Sequence, residues 1–402
     1  MTRLSYQTAG ESHGPGMVAV VTGLPAGVPF DAAFVNGELA RRQGGYGRGA
    51  RQRIESDTAE ALSGVRLGRT IGSPLTLLIR NRDSRLDDVA RTPPVHTPRP
   101  GHADLAGSIK YLTTDCRETL ERASARETAA RVAAGALARL LLRELGIETF
   151  GFVRAIHNGA TPLEVTEANW RSLVTVRDSS ETYCPDTGAT ADQCAAIRQA
   201  KIDKDTVGGL VECHVFGCPP GLGSTMHWRD RLDSRLAAAV MGIQAFKAVE
   251  IGLGKDCAAR TGSQVHDPIR FDPARIDTPA LGFVRDTNNA GGTEGGMTNG
   301  APLVVRGTMK PISTLLRGMP SVDLNTKRPA PSAYERSDIC AVSAASVVME
   351  NVVAFEVAVA ALEKFGGDSL GETRDNMVRF LDLARRLPLP GPIATLARPR
   401  GV

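Results

Sequence analysis

RASARETAARVAAGALARLLLRELG, residues 122–146, is the stretch on which the reading of the fold turns. Ser124-Ala125-Arg126-Glu127 has the spacing of a capping box, in which serine and glutamate side chains reach for free backbone N–H groups. The helix it opens runs through Arg131, Val132, Leu137 and Leu141 to a stop at Gly146. Its many alanines let another element pack close. A second long helix, Ala341 to Lys364, ends at Gly366-Gly367 as helices often do, and its face of Val347, Val348, Val352, Val353 and Val357 indicates deep burial. Around these helices lie strand-like runs. Met17 to Thr22 and Leu75 to Arg80 are short apolar runs bounded by Gly or Pro and read as buried strands. In Gly209 to Gly217, Val211, Cys213 and Val215 alternate with Glu212 and His214, which predicts a half-exposed strand. Leu303 to Arg306 is a further short strand.

This mixture makes the chain one α/β (α+β) domain over residues 1–386, followed by a proline-rich tail over 387–402, with no internal repeat and no convincing linker. Ser84 to Pro100, with four prolines, reads as an ordered loop leading into His102. Ser179 to Ala195 is polar and reads as an exposed excursion. With 402 residues and 42% hydrophobic content the chain can bury a large core. Its 23% charged residues and net charge of +4 are ordinary and do not suggest a coat for nucleic acid. The seven cysteines are odd in number and lack Cys-x-x-Cys spacing, so reduced thiols in the cytoplasm are expected, with no metal site. The N-terminal segment carries no apolar signal region, and no apolar run approaches the roughly 20 residues of a membrane helix.

Two histidines stand in glycine-bracketed loops, Gly10-Glu11-Ser12-His13-Gly14 and Arg99-Pro100-Gly101-His102-Ala103-Asp104, and Arg336-Ser337-Asp338 lies far downstream. Glycine lets the backbone approach a ligand closely, and imidazoles titrate near neutrality, so the pair suits proton delivery to two different atoms. His214 reads as a surface or satisfied residue, and His96, His157, His227 and His266 have no supporting pattern. RRQGGYGRGARQR, residues 41–53, holds five arginines and no acid. An anion-binding loop is the first reading, a solvated basic face the second and an RGG-like RNA segment a distant third. Arg122 to Ser124, at the start of the capped helix, could seat a phosphate, or Ser124 could be simply the cap. AGGTEGGMTNG, residues 290–300, is either a ligand cradle or a glycine-rich turn, and Lys310-Pro311-Ile312-Ser313-Thr314 suits an anion or a polar ring edge. These residues point to an enzyme for multiply anionic ligands without naming its reaction.

Taken in order, GESHG (10–14), GYGRGAR (45–51), RPGHAD (99–104), RASARETAARVAAGALA (122–138), GIQAFKAVEIG (242–252), NAGGTEGGMTNGAP (289–302) and RSDICAVSAASVVMENVVA (336–354) resemble the chorismate synthase family over nearly the whole chain except the tail. The resemblance implies a β-α-β sandwich assembled as a homotetramer. The implied reaction is the last step of the shikimate pathway, in which 5-enolpyruvylshikimate 3-phosphate loses phosphate and its C6 proton to give chorismate. Reduced FMN is the implied cofactor, with NADPH possible as its reductant. Carried over by position, His13 and His102 are the catalytic acids and Asp338 assists proton removal through flavin N5. Flavin contacts fall to Arg122, Ala123, Ser124, Gln244, Ala245, Gly295, Lys310, Pro311, Ile312, Ser313, Thr314 and Arg336. Arg42 and Arg48 match positions associated with NADP, although their chemistry favours substrate anions. No nucleic acid or membrane partner is implied. The chain departs from the family at Ser343, where proline is common, and at Thr206, where serine is common. A non-catalytic anion or RNA binder would explain the arginine run but leaves the paired histidines unaccounted for.

Overall fold

Alternation of apolar residues builds two antiparallel sheets, and the faces they bury meet on a shared layer of helices. The computed structural model describes residues 4–49, 56–335 and 337–389. In the first sheet the strands lie in the order Ser5–Ala9, Gly16–Thr22, Leu75–Arg80, Ala59–Ala61. Met17, Ala19 and Val21 sit directly opposite Ile79, Leu77 and Leu75, and all six are buried, so the expected period of two survives intact. The second sheet runs Phe246–Ile251, Leu303–Met309, Gly209–Phe216, Glu148–Ile156, Gly159–Ala160.

Helix Thr128–Glu144 covers the first sheet and helix Val342–Phe365 covers the second, and the two helices pack on each other. Helix Ala32–Gln43 joins the first of them and helix Leu232–Met241 the second. The result is the expected β-α-β sandwich, whose main core cluster reaches from Leu4 to Leu370. The alanine-rich surface does allow a close helix crossing. At its tightest point a Cβ on Gly135 would lie 2.4 Å from the carbonyl oxygen of Asn351. Gly135→Ala is therefore expected to cost about 1–3 kcal/mol by overpacking, despite the better helix propensity of alanine, as read by urea denaturation.

Several expectations are corrected. The strand Gly209–Phe216 is buried on both faces rather than half exposed, with Glu212 and His214 only 3% and 4% accessible. Its polar side chains pair with one another, His214 Nε2 with Glu212 at 2.7 Å and Arg306 Nε donating to Glu212 at 2.6 Å. Phe152, Phe216 and Trp170, the last on helix Trp170–Ser179, stack over it. The stretch 179–195 is not an exposed excursion either. Thr182, Cys184 and Gln193 are fully enclosed, because Thr182 Oγ1 donates to Gln193 Oε1 (2.6 Å) and Tyr183 OH donates to the Arg41 carbonyl (2.8 Å). Ser343 donates to the Thr182 carbonyl at 3.1 Å, so the departure at 343 adds a hydrogen bond there.

The capping box at 124–127 closes only halfway. Ser124 Oγ accepts from Arg126 N (3.3 Å), whereas the Glu127 carboxylate turns to Thr8 (2.6 Å), Arg131 (2.9 Å) and Gln244 (3.0 Å). A short 3₁₀ turn, Ala125–Glu127, precedes the α-helix proper. The second helix is also long and apolar enough to cross a membrane by length and composition, contrary to the reading of the sequence, but 89% of its apolar window is buried as core. Most of the tail, residues 390–402, lies outside the described residues. All seven cysteines are free thiols.

Polar groups also enter the helical layer. Glu350, fully buried, receives Arg139 NH2 at 2.9 Å, Arg41 NH2 at 3.1 Å and Arg177 NH1 at 3.5 Å. Glu38 takes Arg41 NH1 at 2.8 Å and Asn351 Nδ2 at 2.9 Å. Burial pushes Glu38 up, but Arg139 and Arg41 overcome it and hold the carboxyl down at about 2. Arg41, the first arginine of the basic run, thus belongs to the core.

Candidate active site

The loop 10–14 is held by Asn81, whose Nδ2 donates to the carbonyls of Glu11 (3.1 Å), Ser12 (3.3 Å) and Gly14 (2.8 Å). Gly10 makes the turn possible, with φ +105° and no room for a Cβ, which would lie 2.1 Å from the Gly16 carbonyl oxygen. His13 is thereby set against Glu121 on helix Arg117–Ala123. Its Nδ1–H donates to Glu121 Oε1 at 2.9 Å, and its backbone N–H donates to Oε2 at 2.9 Å.

The second histidine is mounted in the same way. His102 Nδ1–H donates to Asp104 Oδ1, and both Asp104 oxygens are gripped by Arg99, from Nε at 2.8 Å and NH2 at 3.0 Å. Arg99 NH1 continues to Thr314 Oγ1 at 3.1 Å, and Lys310 Nζ donates to the Gly101 carbonyl at 2.7 Å. The loops 99–104 and 310–314 are therefore one unit. Thr206 Oγ1 donates to the Ile312 carbonyl at 2.7 Å, so the hydroxyl kept at that position supports the same loop. A carboxylate on Nδ1 fixes the tautomer and leaves Nε2 as the ring's second polar atom, which in His13 already lies 3.4 Å from Arg85 NH2.

Both imidazoles line a hollow of about 500 Å³. Its walls carry Arg42, Arg48, Arg99, Arg126 and Lys310 against Glu335 and Asp338 among the described residues. Its floor is apolar, formed by Ala341, Ala344, Ala345 and Val348 along one face of the second core helix, with Ile243 and Met309. Asp57 organises the arginines, taking Arg126 NH1 on both oxygens at 2.6 Å and Arg42 NH1 at 3.3 Å. Burial pushes the Arg42 guanidinium down to about 9, with Asp57 pulling it back and Arg126 and Arg48 adding to the push. Arg48 pairs with Asp338 at 2.7 Å, and Asp338 Oδ1 also accepts from Gly49 N at 2.6 Å. Ala245, at the rim, holds φ +70°, a strained value for a residue with a side chain.

The sequence-based candidates divide cleanly. His13, His102, Asp338, Ala123, Ser124, Gln244, Ala245, Lys310, Ile312, Ser313, Thr314, Arg42 and Arg48 share the hollow. Pro311 does not line it. Arg122 turns away, its guanidinium donating to the carbonyls of Gly10 (2.9 Å) and Thr8 (2.8 Å), so it ties the histidine loop to the helix. Gly295 is also absent from the lining, at the turn of a hairpin pairing Thr293–Glu294 with Met297–Thr298. Gly295 and Gly296 both take positive φ, as the turn of this hairpin requires. Arg336, Arg51 and Arg53 lie outside the described residues.

Unforeseen members are Arg99, Arg126, Ser12 and Glu335 on the walls and Glu121 and Asp57 behind them, while Asp104, the acid of the His102 loop, does back its histidine. Arg99 and Asp104 flank His102 and were legible by proximity. Asp57 and Glu121 carry no local signal.

Asp104 and Glu121 are both held below the usual carboxylate range. Burial opposes this in each, but the hydrogen bonds from His102 and Arg99, and from His13 and Arg117, prevail. A carboxyl depressed in the folded state stabilises the protein above its unfolded value, about 4, and the contribution fades as pH falls through the folded value. Stability measured by denaturant titration is expected to decline from about pH 4 downward. Asp104→Asn should flatten that decline.

The antiparallel sandwich and its cationic hollow with two carboxylate-backed imidazoles define an enzyme for a multiply anionic ligand. The family model described as chorismate synthase matches residues 4–362. A chorismate synthase of Desulforudis audaxviator is 52% identical over 391 residues, covering 95% of this chain and 98% of its own length. That of Geobacter sulfurreducens is 52% identical over 392 residues, covering 95% and 99%. A crystal structure of chorismate synthase superposes with TM-score 0.78 at 39% identity, covering 96% of this chain and 99% of its own. The chain belongs to the chorismate synthase family. It is a lyase with chorismate synthase activity, the final step of the shikimate pathway that supplies aromatic amino acids.

Proposed function

We propose that the hollow takes 5-enolpyruvylshikimate 3-phosphate together with reduced FMN and eliminates phosphate and the C6 proton to form chorismate. The observation that carries this reading is the placing of two imidazoles, each backed by a carboxylate, in one hollow walled by guanidinium groups. A substrate with two carboxylates and a phosphate matches that charge.

The residues also fit a flavin. The apolar floor suits a flat ring system, and Arg126 NH2, Arg48 Nε and Gln244 Oε1 are buried polar atoms of hollow-lining residues without hydrogen-bond partners among the described residues. Ala123, Ser124, Gln244, Ala245 and the loop 310–314 would hold the cofactor. Reduced FMN, when bound, supplies electron density for breaking the C–O bond.

The chain's own work is positioning and proton transfer. Arg42 and Arg48 bind substrate anions in this reading, rather than NADP. His102 protonates the departing phosphate, and the cations around it stabilise the charge that develops there. His13 serves as the second acid at the flavin side. Asp338, which orients Arg48, is assigned to the C6 proton. Residues 1–386 form the catalytic domain. Family resemblance supports a homotetramer, and the seven free thiols fit a reducing compartment such as the cytoplasm.

The test is an anaerobic assay with the enolpyruvyl substrate and chemically reduced FMN, with and without NADPH. Chorismate should form with reduced FMN alone. Its absence despite a perturbed flavin spectrum would overturn the reading.

A further inference from the structure

Arg117 belongs to no motif singled out in the sequence and has no part in the proposed chemistry, yet three segments of the site meet on it. Its NH1 donates to Glu121 Oε1 at 3.2 Å, one helical turn away. Its NH2 donates to Glu335 Oε1 at 2.8 Å, three residues before Asp338. Nε and NH2 reach the Pro93 carbonyl of the loop before His102, at 3.3 and 3.1 Å. Arg117 and Glu121 are both enclosed, at 9% and 1% accessibility.

We propose that Arg117 and Glu121 are a pair of positioning residues that set the proton affinity of His13 and tie it to the loop carrying Asp338. Glu121 meets His13 twice, through the ring and through the backbone N–H. An unshared carboxylate on Nδ1 would favour the charged ring strongly. A guanidinium on the same carboxylate subtracts from that pull, so the ring's proton affinity is the balance of the two.

Other charges facing His13 leave this balance in place. Asp83 Oδ2 lies 3.9 Å and Arg85 NH2 3.4 Å from Nε2, and they form their own ion pair at 3.1 Å, with Arg91 at 3.7 Å from Asp83. On its own loop stands Glu11, while Glu118 is exposed on the helix and Arg122 is committed to the Thr8 and Gly10 carbonyls. Across the hollow are His102, Asp104, Arg99 and Lys310, bound to one another or to the Gly101 carbonyl.

The inference rests on His13 being a proton donor only for its effect on turnover, so the test has a readout without turnover. The pH dependence of His13 carbethoxylation by diethyl pyrocarbonate, scored by peptide mapping of the full chain, reports its neutral fraction. Glu121→Gln should move the midpoint down by about one pH unit and Arg117→Gln should move it up by about one unit. Arg117→Lys should return it toward the parent value. The limb of the kcat–pH profile that belongs to His13 should follow in the same directions. If Arg117→Gln does not fold, Glu335→Gln replaces it, since releasing the guanidinium from its second carboxylate should lower the midpoint. Unmoved midpoints, or shifts of one sign in Glu121→Gln and Arg117→Gln, would overturn the inference. Should the midpoints move as stated while His13→Asn keeps full kcat, the pair stands and the role given to His13 falls.

Discussion

Replacing His102 with alanine is expected to lower kcat by about 10²- to 10⁴-fold, the range of a lost general acid, with FMN binding retained. The reasoning starts at Asp104, which is fully buried and holds Nδ1 of the ring while Arg99 holds both of its own oxygens. The ring is thus delivered to the hollow in one orientation and one tautomer, and its removal leaves departing phosphate without a proton source. The loop itself should persist, because Arg99, Lys310 and Thr314 bind it independently of the ring. Rapid-quench measurement of phosphate release, beside a flavin-binding titration, separates the two effects. Unchanged turnover would remove His102 from the mechanism.

The largest effect on stability is expected from Glu350→Ala. That carboxylate sits at the centre of three guanidinium groups, from Arg41, Arg139 and Arg177, inside the layer between the sheets. Removing one partner from a buried ion cluster leaves charge without compensation and typically costs about 3–5 kcal/mol. Thr149 Oγ1, which donates to Glu350 Oε1 at 3.3 Å, would lose its acceptor too. Thermal unfolding should show the loss as a lowered Tm. A variant as stable as the parent would mean that water or a neighbouring acid takes over the role. Because Arg41 and Arg42 are adjacent on one helix, activity in the surviving folded fraction also reports whether this core cluster steadies Arg42.

The secondary structure was legible where a period ran unbroken. Met17–Thr22 and Leu75–Arg80 appear almost to the residue, and the stop at Gly146 follows helix Thr128–Glu144 with φ +73°. It was misread where polar residues satisfy one another out of water. Glu212 with His214, and Thr182 with Gln193, look like surface in a sequence and are interior in the fold. A hydrogen bond between two polar side chains leaves no periodic trace of its own. The same limit governs the site. Glycine-bracketed histidines announce themselves, but Glu121 lies 108 residues from His13 and Asp57 is 69 from Arg126, so the backing carboxylates come into view only with the tertiary structure. Arg122 shows the converse: a motif residue whose guanidinium holds the Thr8 and Gly10 carbonyls to the helix, a bracing contact that its motif does not announce.

The residues Ala341, Ala344, Ala345 and Val348 give one helix two duties, since its other faces are the middle of the core. Amide protons in that segment are expected to exchange only when the whole chain opens, because the helix is buried along most of its length. The bottom of the cleft is accordingly a fixed template, and a ligand must match its shape because the base does not yield.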